Sequence, residues 1–148
     1  MGIKGLLAAL ASVTDSVHIR DFAGRTVAID GYAWLHRAVY SCAQELATGA
    51  ETSAYVRYFE HRVGLLLHHG VVPYVVFDGA NLPAKAATEA ARAAARAEAL
   101  RGAREAQARG DKEAAFSLFQ RAVDVTPAMA NRVVARLRAL RVQFLVAP

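Results

Sequence analysis

Cysteine occurs once in the 148 residues, as Cys42, so no disulfide framework is available to the chain. Long apolar runs are also missing: the best candidate is interrupted by His68, His69 and Gly70, well short of the roughly 18 to 20 residues that span a bilayer. The opening Met1-Gly2-Ile3-Lys4-Gly5-Leu6 has too short an apolar stretch for a signal peptide, and Leu6 stands where a myristoylation signal requires Ser or Thr. A soluble chain in a reducing compartment, cytosol or nucleus, is the expectation. Neither a Walker A glycine loop nor a Gly-x-Ser-x-Gly elbow nor a CxxC pair occurs, which sets aside ATPase, serine hydrolase and zinc-finger chemistry. His61, His68 and His69 have no metal-ligand spacing with Cys42 and read as ordinary helix residues.

What the chain does have is apolar residues, 55% of the total against 21% charged, enough to bury a core. Its charge is unevenly placed. Residues 1–81 carry 6 basic and 7 acidic side chains, whereas residues 82–148 carry 12 basic and 6 acidic. Clustered cations attract phosphates, so a nucleic-acid partner fits. Arg outnumbers Lys 15 to 3, a bias that the base composition of a coding sequence produces as readily as phosphate contacts do.

Three β-branched apolar runs, Thr26 to Asp30, Val71 to Asp78 and Val142 to Ala147, predict strands. Because they lack polar alternates, a parallel sheet covered on both faces is expected. Helical spacing predicts helices over Tyr32 to Leu46 and Ala54 to His69, the latter closed by Gly70. The Ala-rich stretch from 84 to 109 favours helix yet offers little to bury, and is expected to project from the core. It carries Lys85, Glu89, Arg92 and Arg96 on one face. Lys112 to Val123 is expected to bury Phe116, Phe119 and Val123, and Thr126-Pro127 starts a further helix. With no repeat and no Gly/Ser linker, the reading is one α/β domain with a helical insertion between its second and third strands.

In an open parallel sheet the working crevice lies beyond the carboxyl ends of the strands. Asp30 and Asp78 stand at two such ends, each followed by Gly. Two carboxylates meeting at one rim suit a hard cation such as Mg²⁺, which takes oxygen ligands and keeps positions for water and phosphate. Asp-Gly is equally a common turn after a strand, and the residues alone leave both readings open. Tyr32 and His36 share a helical face close behind Asp30, where an aromatic can stack on an unpaired base. Trp34 lies on another face and is assigned to the core.

Three ordered segments, Met1-Gly2-Ile3-Lys4-Gly5-Leu6-Leu7, Val27-Ala28-Ile29-Asp30-Gly31-Tyr32-Ala33-Trp34-Leu35-His36 and Pro73-Tyr74-Val75-Val76-Phe77-Asp78-Gly79, resemble the N-terminal nuclease region of the flap endonuclease and xeroderma-pigmentosum-G family. Cys42-Ala43, Leu82-Pro83-Ala84-Lys85, Thr126 to Ala130 and the closing Phe144 to Pro148 are similar to its exonuclease branch. The resemblance runs the whole length of the chain. It implies a PIN-like α/β core with a helical gateway insertion over residues 82–130, inside a nuclease domain of which residues 1–148 are the first part. The implied activity is that of a 5′-to-3′ DNA exonuclease and 5′-flap endonuclease in repair, replication and recombination, using two Mg²⁺ ions for which Mn²⁺ can substitute.

Residue by residue, the resemblance makes Asp30 and Asp78 metal ligands and Lys85 and Arg92 the cations that approach the scissile phosphate. Gly2, Tyr32, His36 and Arg96 become DNA contacts, and Ser41 to Tyr58 a wedge that bends duplex DNA at a nick or junction. The implied partner is DNA with a recessed 5′ end, a nick or a 5′ flap, met by a monomer in the nucleus, with repair proteins bound through a tail that these residues do not include. The family's further metal-binding carboxylates follow the Val-Ala-Pro segment, and this sequence has no carboxylate side chain after Asp124. The sheet and the metal site are therefore expected to be incomplete within the 148 residues, and this part alone to be inactive. Competing readings are a flap endonuclease proper and a non-catalytic DNA-binding fragment.

Overall fold

The computed structural model describes residues 5–79 and 86–147, the side chains of 86–89 excepted. Three strands, β1 (Thr26–Asp30), β2 (Val72–Phe77) and β3 (Gln143–Val146), form a wholly parallel sheet in the order β1-β2-β3. Parallel neighbours need crossover connections, and helices supply both. Between β1 and β2 run α2 (Gly31–Ala38), a 3₁₀ turn (Val39–Cys42), α3 (Ala43–Ala47) and α4 (Ala54–His68). Between β2 and β3 run α5 (Ala86–Ala108), α6 (Lys112–Ala122) and α7 (Pro127–Ala139). A short α1 (Leu6–Ala9) precedes them all, within a segment from Gly5 to His18 that is exposed throughout.

The main core sits on one face of the sheet. Ile29, Val75 and Phe77 point into it and meet Leu35 of α2, Tyr55, Phe59 and Val63 of α4, and Val133 and Leu137 of α7. The opposite face is not covered among the described residues, where Ala28 and Leu145 are exposed. Among the described residues, helices therefore cover one face of the sheet only, and small or β-branched residues stand on either face of a strand.

Helix limits follow local chemistry. Gly70 ends the turn after α4 at φ +73, the left-handed conformation that glycine adopts without a Cβ penalty. Thr126 caps α7 by accepting the Met129 N–H, with Pro127 at the first position. The single helix expected over Tyr32 to Leu46 is instead three pieces. β-branched Val39 begins the 3₁₀ turn, and the Ser41 hydroxyl donates to the Ala38 carbonyl at 3.1 Å, both of which weaken an α-helical continuation.

The Ala-rich helix behaves in two ways. Residues 90–98 of α5 are exposed or half-buried, as a projecting helix would be, but Ala99, Ala103 and Ala106 are buried, the latter two against α6 in a second cluster with Ala43, Ala115 and Phe119. Small side chains let the helices approach closely, and a Cβ on Gly102 would already touch Leu118 at 3.4 Å. Phe116 is 53% exposed, against the expectation of burial. A partner that presents mainly alanines forms a narrow seam, filled by Ala115 and Phe119 at a spacing of four, with Leu118 beside them.

Candidate functional site

Register fixes the two aspartates at the same rim. Asp30 ends β1 opposite Val76 of β2, and Asp78 follows Val76 by two residues, immediately after β2 ends. Along an extended chain that offset is about 7 Å. Both carboxylates are exposed. Asp30 caps α2, its Oδ1 accepting the Ala33 N–H at 2.8 Å, which fixes one oxygen and leaves Oδ2 for another partner.

Gly31, which follows Asp30, has a packing duty. A Cβ there would stand 2.6 Å from the Phe77 ring, so only glycine lets α2 begin so close to β2. Phe77 is itself held by Tyr32, edge-on with ring centroids 5.8 Å apart, and by Phe59, stacked at 6.3 Å. This places half-buried Tyr32 beside the aspartate rim with one side of its ring engaged, while His36, one turn on, is exposed. Trp34 packs edge-on against Phe59 at 5.6 Å, as assigned from its helical face.

Of the cations singled out from sequence, Arg92 is exposed on α5. Arg96, one turn later, is more covered, its side chain 26% exposed, and pairs with Asp124 at 3.3 Å. Gly2 and Lys85 lie outside the described residues. The segment Ser41 to Tyr58 is a 3₁₀ turn, the short α3, an exposed loop and the start of α4. It is anchored from beneath by Cys42 and Tyr55, both 1% exposed. Burial and the nearby charge of Glu45 push the Cys42 thiol up, which keeps it protonated and marks it as a core residue.

Among the described residues no group of three or more His, Cys, Asp and Glu side chains gathers in a position to hold a metal ion. The donors at the rim are two carboxylates, which suit a hard divalent cation as part of its ligand set. Sequence reasoning missed Phe77 as the platform for the rim and Asp124 as the partner of Arg96. A bulky aromatic before Asp-Gly was the available signal for the first; the second joins residues far apart in sequence and left none.

Comparison with known proteins follows the same lines. The XPG N-terminal domain family matches residues 1–99. Exodeoxyribonuclease 1 of Schizosaccharomyces pombe is 45% identical over 148 residues, all of this chain and 26% of that protein. Exonuclease 1 of Arabidopsis thaliana is 44% identical over the same span, 20% of its length. The chain thus spans about a quarter or less of these relatives. Among solved structures, the catalytic core of Rad2 in complex with DNA substrate matches with a TM-score of 0.63 at 19% identity, over 99% of this chain and 39% of that one. Human GEN1 in complex with Holliday junction DNA matches with a TM-score of 0.59 at 16% identity, over 98% of this chain and 30% of that one. Over the matched residues the fold is that of these two structures, and with the family matched over most of its length the chain belongs to the XPG N-terminal domain family.

Proposed function

We propose that the chain is the N-terminal part of the nuclease unit of a 5′-to-3′ DNA exonuclease and 5′-flap endonuclease, a phosphodiester hydrolase acting on DNA with a recessed 5′ end, a nick or a 5′ flap. The observation that carries the reading is the placing of Asp30 and Asp78 at one rim of a parallel sheet in a chain of this family. The DNA in the complexes of Rad2 and GEN1 and the exonuclease names of the relatives support it.

Asp30 and Asp78 hold divalent metal, Mg²⁺ or in its place Mn²⁺, through carboxylate oxygens, with Asp30 oriented by the Ala33 N–H. When bound, such ions lower the pKa of attached water and stabilise a departing oxygen. Arg92, with Lys85, meets the charge that develops on the phosphoryl oxygens. Tyr32 and His36 meet the nucleotides beside the cut, Arg96 and Gly2 meet DNA nearby, and Ser41 to Tyr58 bends the duplex. Water attacks, so no protein nucleophile is required. Residues 82–130 form the gateway over the site. The setting is DNA repair in the nucleus, with the protein acting as a monomer.

The test is cleavage of a duplex with a recessed 5′ end by the full polypeptide that the gene encodes. With Mg²⁺, Asp30→Asn and Asp78→Asn should abolish product while duplex binding in Ca²⁺ stays within a few-fold. Arg92→Ala should lower kcat by about 10²- to 10³-fold, the scale for removing a group that stabilises transition-state charge. Undiminished cleavage by Asp78→Asn, or cleavage that survives chelation of divalent ions, would overturn the proposal.

A further inference from the structure

Arg96 occupies a distinctive place on α5. On its N-terminal side the helix surface from 90 to 95 is exposed, and on its C-terminal side Ala99, Ala103 and Ala106 are buried. It marks the point where the helix leaves the body of the protein. Its ion-pair partner, Asp124, lies on the connection between α6 and α7. The two neighbours of Asp124 anchor that connection: Val123 packs against both apolar clusters, and Val125 against the main one. In an extended segment successive side chains point to opposite sides, so burying Val123 and Val125 turns Asp124 outward, where its side chain is 57% exposed and reaches Arg96.

The connection also borders an open cleft of about 400 Å³, lined by Tyr55, Thr126, Met129 and Asp124. Across that cleft Arg132 of α7 faces Glu51 of the wedge segment at 3.9 Å. Each arginine is thus matched by a carboxylate from another element. The Arg96 pair differs in that its arginine continues the face that carries Arg92, one turn away on the projecting half of α5.

From this placement we infer that Asp124 is an internal competitor for Arg96: it pairs with the guanidinium at the exit point of α5 in the free protein and yields it to a backbone phosphate when DNA arrives. The inference rests on the reading above that Arg96 contacts DNA. A carboxylate and a tetrahedral phosphate group both offer a guanidinium anionic oxygens as acceptors, so one can take the place of the other at the same nitrogen. DNA must then displace an anion that is already present, and this lowers affinity.

The experiment is equilibrium binding of a duplex with a recessed 5′ end to the full chain in Ca²⁺, for the unaltered protein, Asp124→Asn, Asp124→Glu, Arg96→Ala and the Asp124→Asn/Arg96→Ala pair. Asp124→Asn removes the competing charge while preserving shape. It should lower Kd by about two- to fivefold at low salt, the scale of a partly exposed ion pair. The gain should shrink as salt is raised, because screening weakens the internal pair. Asp124→Glu should bind as the unaltered protein does. In the Arg96→Ala background Asp124→Asn should have no effect, which a merely structural role for Asp124 does not predict. If Asp124→Asn binds equally or more weakly while Arg96→Ala weakens binding, the exchange is wrong and the DNA role of Arg96 stands. If Arg96→Ala leaves Kd unchanged, both are wrong.

Discussion

The sheet core and the seam of the α5–α6 hairpin are both apolar, yet they exclude water by different means. The first joins large side chains from every layer, with Tyr55, Phe59 and Phe77 each 1% exposed. The second is largely a seam of alanines in which Phe119 is the one large buried ring. Interlocked aromatics make a core in which removal of one ring affects the whole. A small-residue seam gives close approach but little area, so its stability concentrates in a few contacts. The candidate site draws on both: its carboxylates stand on the aromatic core, and its cations project from the helix that the seam secures.

The largest way to break this contrast is Phe77→Ala. Loss of that ring should cost about 3 to 5 kcal/mol in urea unfolding, as a single transition that carries the hairpin with it. Phe119→Ala should fall toward the lower end of the same range, because neighbouring alanines can close on the cavity. Hydrogen exchange would separate the two: after Phe119→Ala, amides of α5 and α6 should lose protection first while those of β1 and β2 keep theirs. Equal loss in both regions would mean that hairpin and core form one cooperative unit.

Gly31→Ala sharpens the comparison at the point where core meets site. Replacing a helical glycine by alanine ordinarily gains up to about 1 kcal/mol. Here the new methyl would lie 2.6 Å from a ring wedged between Tyr32 and Phe59, so overpacking should prevail at about 1 to 3 kcal/mol destabilising, measurable as a lowered Tm. The smallest effect concerns Cys42, which belongs to the aromatic core while its neighbour Ala43 belongs to the hairpin seam. With its thiol buried and pushed up, alkylation at pH 8 should proceed only as fast as the protein opens, and should stay slow in Phe119→Ala if the core is intact.

Much of this was readable in the residues. β1 matches its apolar run at both ends, β2 and β3 differ from theirs by a residue or so, and Asp30, Asp78, Gly70 and Thr126 each take the position that local chemistry assigns. What escaped the sequence reading was long-range. Nothing in the alternation of β1 and β2 tells which face the helices of these residues will cover; it is the one that holds Ile29 and Val75, not Ala28. Phe116 and Phe119 have equal claim to burial by periodicity, and the narrow partner surface of α5 decides between them. Likewise Arg96 reads as a DNA contact on the face of Arg92, and only the fold brings Asp124 to it.

The ring of Phe77 lies beneath Gly31 and directly precedes Asp78 in the chain. It therefore acts as a gauge block between the two strand ends, locating Asp30 through the start of α2 and Asp78 through the backbone. A change at that one ring, which also packs against Tyr32 and Phe59, therefore reaches both strand ends at once.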